Sequence, residues 1–483
     1  MNSSQTPPRH ASRIILVLLM CFTSFVILSW WLLFRDERAL EAYGSYYPDI
    51  ADYLQLTRAY LLRLSLNVVP TILFSFTALI AFLAYFVSLK RCYTLRTSIT
   101  LAIVFQLIVF FSYPILSTDI FSYIYSERVA TKYGYNIWVT PPEYFSEDVF
   151  EPLADWKDQT SVYGAVHQLA YTPASYLAGD NVVVNVIFFK MVALLASLAT
   201  IFIVSALFEG KNHQAEMVRM IFWNPLFVLE FAGSGHNDIL MIFFLLFAIL
   251  LWKRESWIAA GIVLALSVQV KMIAILFFCF SCAYLFRLQK WGALAKYISS
   301  FTLITIVAFS YMQVWPWTFL QRVMYNATVY WQSLPMLVER FGSDAEFPFT
   351  LMFLLILLIL TALQHRNKWS PLFTTTLGLA CYLFFFSSAY WNWYALWLLC
   401  LAVFVRQQWL RWMILLFTMS SLLAYPFLWL SHRYYFGYPF WSIGVYFLIF
   451  GIPAIGIVLL KRTSLIPRLI EPKQVCDTSL KRL

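Results

Sequence analysis

Long apolar runs recur along this chain, and they leave it few places to fold other than a bilayer. Several reach the roughly 20 residues that carry an α-helix across hydrocarbon. Of 483 residues, 61% are hydrophobic and 12% charged, against about 25% charged in an average soluble domain. Only helices and closed barrels satisfy their backbone inside a membrane. Barrel strands would read as stretches of about 10 residues with alternating polarity, a pattern this sequence lacks. The expected fold is therefore all-α: a polytopic membrane protein of about 14 transmembrane helices. The first is expected over 14–34 and the last over 439–460.

The net charge of +10 raises the question of a nucleic-acid partner. Its distribution answers against one. Lys90-Arg91, Lys211/Arg219, Lys253-Arg254, Arg287/Lys290/Lys296, Arg366/Lys368, Arg406/Arg411 and Lys461-Arg462 all fall in short connections. If each span crosses once, they share one side with Arg9 and Arg13, which marks that side as cytoplasmic. The first run has no small-residue cleavage site and reads as an uncleaved helix. The chain is thus expected in the plasma membrane, with longer aromatic and acidic loops at 35–69, 117–180, 315–347 and 431–438 facing outward. Three segments follow: 1–97 with two helices, a core over 98–400 that includes loop 117–180, and 401–483 with the last helices and a cytoplasmic tail. The seven cysteines are scattered, and Cys279 and Cys282 share one apolar run, so they read as core.

Polar residues between membrane helices are costly and usually contact something polar. Ser117-Thr118-Asp119-Ile120 ends one apolar run, and Trp223-Asn224-Pro225-Leu226 and Gly235-His236-Asn237-Asp238 lie close together further on. Asp119 is placed to serve as a general base at the outer face; it or its neighbours could equally cap the next helix. His236, Asn237 and Asp238 suit phosphate, sugar hydroxyls or a metal, and equally a capped turn. Lys271, in an apolar setting, needs an anion such as a lipid phosphate, or else snorkels to the interface. Trp393 and Tyr394, within Tyr390-Trp391-Asn392-Trp393-Tyr394, form either a stacking platform or part of an aromatic belt. Ile120 to Tyr133 alternates apolar and polar residues at helical spacing, which predicts an amphipathic helix on the membrane surface.

These motifs, in this order, resemble a known family. Ser117-Thr118-Asp119…Tyr123, Gly134-Tyr135-Asn136 and Ser161-Val162-Tyr163-Gly164 are similar to the first outer loop of C-type integral membrane glycosyltransferases. The nearest type is the bacterial polyprenol-phosphate-mannose-dependent α-mannosyltransferases. Trp223-Asn224-Pro225-Leu226…Glu230…Gly235-His236-Asn237-Asp238 resembles a second signature, and Trp393-Tyr394-Ala395-Leu396-Trp397 a third. The resemblance implies transfer of a hexose, as mannose, from a polyprenyl-phosphate donor to a lipid-linked or periplasmic glycan acceptor, with inversion. It implies Asp119 as catalytic base, with Tyr123, Tyr163, His236, Asn237, Asp238, Lys271, Trp393 and Tyr394 binding substrate. Many such enzymes carry an Asp-x-Asp pair; here residue 117 is Ser and residue 121 is Phe, so that metal-binding acid pair is lacking, no metal ligand is assigned, and a divalent metal stays an open alternative. Residue 165 is Ala where the pattern has proline.

The expected partners are the lipid-linked donor, a glycan or lipid acceptor and membrane lipids, with no nucleic acid. The competing class is a transporter or flippase of an amphiphile. It would place its polar cluster at the midplane between two related halves, whereas no internal repeat is evident here.

Overall fold

The computed structural model describes residues 9–33, 68–326, 332–339, 346–434 and 444–462. The expected loop over 35–69, all but its last two residues, and the tail beyond 462 lie outside them.

Among the described residues every element of regular secondary structure is a helix, and none is a strand. Six helices among them are long and apolar enough to cross a membrane: Ala11–Trp31, Val69–Leu89, Val182–Leu207, Trp291–Met312, Phe349–Asn367 and Gln408–Trp429. A seventh span arises if the bent pair Pro225–Gly233 and Asp238–Lys253 is taken as one. Shorter apolar helices include Leu95–Phe110, Trp257–Val268, Met272–Arg287, Pro371–Phe386 and Asn392–Ala402. Among the described residues the apolar runs emerge as helices, except that the run over 215–232 is split before Pro225.

The bent pair is the centre of the molecule: every residue from 217 to 242 is buried. Val182–Leu207 packs on one side of Asp238–Lys253 and Trp257–Val268 on another, and Leu95–Phe110 lies against Val228–Gly233. The break before Pro225 has a local cause. Proline has no N–H and is disfavoured inside a helix but suits its first turn. Asn224 caps that turn, its Oδ1 accepting from Leu226 and Phe227 N–H at 3.0 and 3.4 Å. Its Nδ2 donates to Thr418 Oγ1 at 2.9 Å, and Trp223 Nε1 donates to the Ser98 carbonyl at 3.0 Å. The polar groups of the Trp223-Asn224-Pro225-Leu226 motif are thus spent on structure, not on a site.

The second break, at Gly235, bends the pair by 115°. Gly235 has φ +74°, a region that favours glycine. A side chain there would also meet Ile120 Cδ1 at 2.9 Å and Lys190 Cγ at 3.0 Å. The turn is thereby pressed against the start of the Asp119–Thr131 helix. Lys190 helps to hold that start: its ammonium caps the end of Leu95–Phe110, donating to the Phe110 and Ser112 carbonyls at 2.6 and 2.5 Å.

The expected surface helix over Ile120 to Tyr133 forms as Asp119–Thr131, but it is not a surface helix. Nine of its 13 residues are buried, Glu127 and Arg128 among them. Its two buried charged residues find partners inside the protein: Glu127 Oε1 accepts from Thr172 at 2.6 Å, although Glu127 Oε2 has none. Arg128 donates to Asp148 from Nε and Nη2 at 2.8–3.0 Å, to the Gly179 carbonyl at 2.6 Å, and to Asp180. Loop 117–180 is therefore folded over the helix ends as part of the core. Amphipathic periodicity cannot distinguish a lipid headgroup from an ion pair inside the protein.

Candidate active site

Helix geometry frees the Asp119 carboxylate from capping. The backbone N–H of Asp119 is met by Ser117 Oγ at 3.1 Å, and Thr118 occupies the cap position, its hydroxyl donating to Asp155. Asp119 instead accepts from Tyr123 Oη, one helical turn on, and from Trp156 Nε1, both at 3.3 Å. It remains part-exposed. Burial pushes its carboxyl up to about 6; the nearby Lys271 charge and the Trp156 bond pull the other way, and Asp238 adds to the rise.

The Gly235 turn delivers three further residues to the same region. Asp238 is fully buried, and its Oδ1 accepts from Lys271 Nζ and Trp397 Nε1, each at 2.7 Å. Lys271 thus finds its anion in the protein. Its ammonium also lies 4.7 Å from the Tyr394 ring, 5.1 Å from Trp397 and 5.9 Å from Tyr163. Asn237 stands at the helix start but makes no capping bond with its side chain. His236 lies under Trp393, ring on ring at 3.9 Å. Trp391 continues the stack, and Trp156 meets Trp391 edge-on at 6.0 Å.

The nine residues expected from sequence therefore form two layers. Asp119, Tyr163, Lys271 and Tyr394 are part-exposed and form a rim with Trp156 and Trp391. Tyr123, His236, Asn237, Asp238 and Trp393 are buried behind them. Several of their polar atoms, namely both side-chain atoms of Asn237, His236 Nε2, Asp238 Oδ2 and Trp393 Nε1, are buried without a hydrogen-bond partner. Trp393 covers His236 instead of presenting its ring outward. Below the rim, an apolar cavity is lined by Met241, Leu245, Phe277, Leu379, Trp397 and Leu401 among others.

Sequence reasoning missed Trp156, which lies in an acidic loop stretch with no motif around it. It also missed His167, stacked on Tyr163 at 4.5 Å and held neutral at pH 7 by burial and the Lys271 charge, which bring it down to about 3. Glu230 stood in the second signature without a role; it lies 3.4 Å from His236. Arg340, in the expected outward loop 315–347, lies outside the described residues, as do the side chains of His432 and Arg433 in the expected loop 431–438.

Residues 42–287 match the family described as Alpha-(1->6)-mannopyranosyltransferase, N-terminal domain. The chain belongs to this family. It is also similar to Alpha-(1->6)-mannopyranosyltransferase A of Corynebacterium glutamicum, 24% identical over 173 residues, which is 34% of each chain. The alignment thus covers about a third of that relative's length. The family match contains Asp119, Tyr123, Tyr163, His236, Asn237, Asp238 and Lys271, whereas Trp393 and Tyr394 lie beyond it and join them only in space.

Proposed function

We propose that the protein is a membrane mannosyltransferase that moves mannose from a polyprenyl-phosphate donor to a lipid-linked or periplasmic glycan acceptor, with inversion. The observation that carries this is Asp119. It is a part-exposed carboxyl held near neutrality beside a lysine, in a chain of this family. The donor already has a good leaving group in its phosphate. What the protein must supply is orientation, a proton acceptor and charge for the phosphate. The acceptor hydroxyl oxygen attacks the anomeric carbon opposite the phosphate, its proton passes to Asp119, and the sugar–phosphate bond breaks to release polyprenyl phosphate. Lys271, fixed by Asp238, has two further N–H groups for that phosphate. Tyr394, Tyr163, Trp156 and Trp391 would border the sugar and the first isoprene units.

In this reading the shorter apolar helices also cross the bilayer, for about fourteen spans. Asp119 then faces the extracytoplasmic side of the plasma membrane. Reporter fusions at Lys211 and Gln313 should report opposite sides. The decisive experiment is Asp119→Asn, assayed with purified protein and labelled polyprenyl-phosphate mannose. Loss of a general base costs about 10² to 10⁴ in rate, with donor binding retained. Transfer at the wild-type rate would overturn the assignment.

A further inference from the structure

Behind Asp119 a line of buried polar groups runs into the protein. Tyr123 Oη lies 3.3 Å from Asp119 Oδ2 and 3.3 Å from His236 Nδ1. His236 Nε2 lies 3.4 Å from Glu230 Oε2. Glu230 Oε1 accepts from Tyr425 Oη at 2.5 Å. Glu230 is 0% exposed and His236 1%. His236 Nε2 and Glu230 Oε2 are both buried and, at their 3.4 Å spacing, neither makes a hydrogen bond. The stack on Trp393 fixes the plane of the imidazole.

We propose that Glu230 is a positioning residue for sugar transfer, acting through His236 and Tyr123 to let Asp119 take and hold the acceptor's proton. The inference rests on the reading of Asp119 as base. Asp119 and His236 can each accept the one hydroxyl proton of Tyr123. With Glu230 ionised, its Oε2 facing His236 Nε2 keeps the ring proton on that nitrogen and leaves Nδ1 as an acceptor. Before reaction, the Tyr123 hydroxyl donates to the Asp119 carboxylate. When Asp119 gains the acceptor's proton, it becomes a donor toward Tyr123 Oη. The Tyr123 proton then swings to His236 Nδ1. No proton leaves the line: the acceptor's proton stays on Asp119, and only the hydrogen bonds change direction. With the opposite imidazole tautomer, Nδ1–H would hold the Tyr123 proton on Asp119, and protonated Asp119 would meet a hydroxyl hydrogen head-on.

Glu230→Gln tests this with no change of shape. Tyr425 keeps the Gln carbonyl, so the Gln amide N–H₂ faces His236 Nε2 and drives the ring proton to Nδ1. Tyr123 is then locked onto the Asp119 carboxylate and stabilises it. The acid limb of kcat/KM against pH should move down by about one unit, the size expected for one hydrogen bond to a charged group. Tyr123→Phe removes that bond and should move the limb up by about one unit. His236→Phe keeps the ring against Trp393 but cuts the line; it should move the limb down as Glu230→Gln does, and Glu230→Gln should add nothing in its background. His236→Phe also decides the matter if Glu230→Gln does not fold. A purely structural role would lower the yield of active protein and leave the limb in place. Unmoved limbs in the variants that fold, or shifts of the same sign for Tyr123→Phe and His236→Phe, overturn the inference. Asp119→Asn separates this from the base assignment: an active Asp119→Asn protein removes the base, whereas an inactive one with unmoved limbs in the others removes only the line.

Discussion

Lys271→Met keeps the length of the side chain and deletes the charge that the centre of the site is built around. The ammonium is 2.7 Å from Asp238 Oδ1. Without it, fully buried Asp238 keeps a single hydrogen bond, from Trp397 Nε1. Breaking a buried ion pair by removing one partner costs about 3–5 kcal/mol, because a charge is left uncompensated. The Lys271 side chain is 17% exposed, so water reaches the pair and the lower end, about 3 kcal/mol, is the better figure. At roughly 2 °C per kcal/mol for a large chain, that lowers the melting temperature by about 6 °C. The double variant Lys271→Met/Asp238→Asn removes the orphaned charge, while the amide oxygen still accepts from Trp397. It should therefore be more stable than Lys271→Met alone, with a coupling of about 2 kcal/mol. The assay is thermal unfolding of detergent-solubilised protein for wild type, both single variants and the double. A second readout is catalytic. Lys271 pulls the Asp119 carboxyl down, so its loss raises that carboxyl above about 6. The acid limb of the pH–rate profile should move to higher pH, with activity lost at pH 7 and partly regained at pH 8.5. A Lys271→Met protein as stable as wild type, or a double variant at the sum of the two single losses, would refute the reasoning.

Other expectations follow from the same geometry. In the wild type, activity should climb between pH 5 and pH 7 with a midpoint near 6, because Asp119 accepts a proton only when ionised and burial has raised it to about 6; a flat pH–rate profile over that range contradicts this. Arg128→Met leaves buried Asp148 without its guanidinium partner and should cost about 3–5 kcal/mol, read as a lower melting temperature and faster proteolysis within 140–180. A Cβ on Gly164 would stand 2.6 Å from the Gln269 carbonyl oxygen, so Gly164→Ala should shift Tyr163 away from Lys271 and cost about 1–3 kcal/mol, with a larger loss of transfer than of stability. Since the sequence lacks an acid pair beside Asp119, transfer should persist in excess chelator, measured as rate with and without EDTA.

Much of this architecture is written in local pattern. Apolar runs become helices because the bilayer and the backbone leave no alternative, and the run boundaries survive into the structure as helix ends. The break at Asn224-Pro225 and the turn at Gly235 are equally local, set by a missing N–H and a positive φ. Asp119, His236 and Lys271 were legible as chemistry because each is expensive where it stands. Partnership was not legible. Lys271 needed an anion, and the sequence pointed to a lipid phosphate, yet the nearest one is Asp238, 33 residues earlier. Asp119 receives its second hydrogen bond from Trp156, in a stretch that looks like ordinary solvated loop. The Asp119–Thr131 helix has the periodicity of a surface helix and lies inside, because Asp148, Gly179 and Asp180 converge on Arg128. Which of two polar groups reaches the recess and which is sealed behind it depends on packing between residues more than a hundred positions apart, as with Trp393 over His236. Periodicity reports the face of a helix, and only the assembled bundle decides what that face meets.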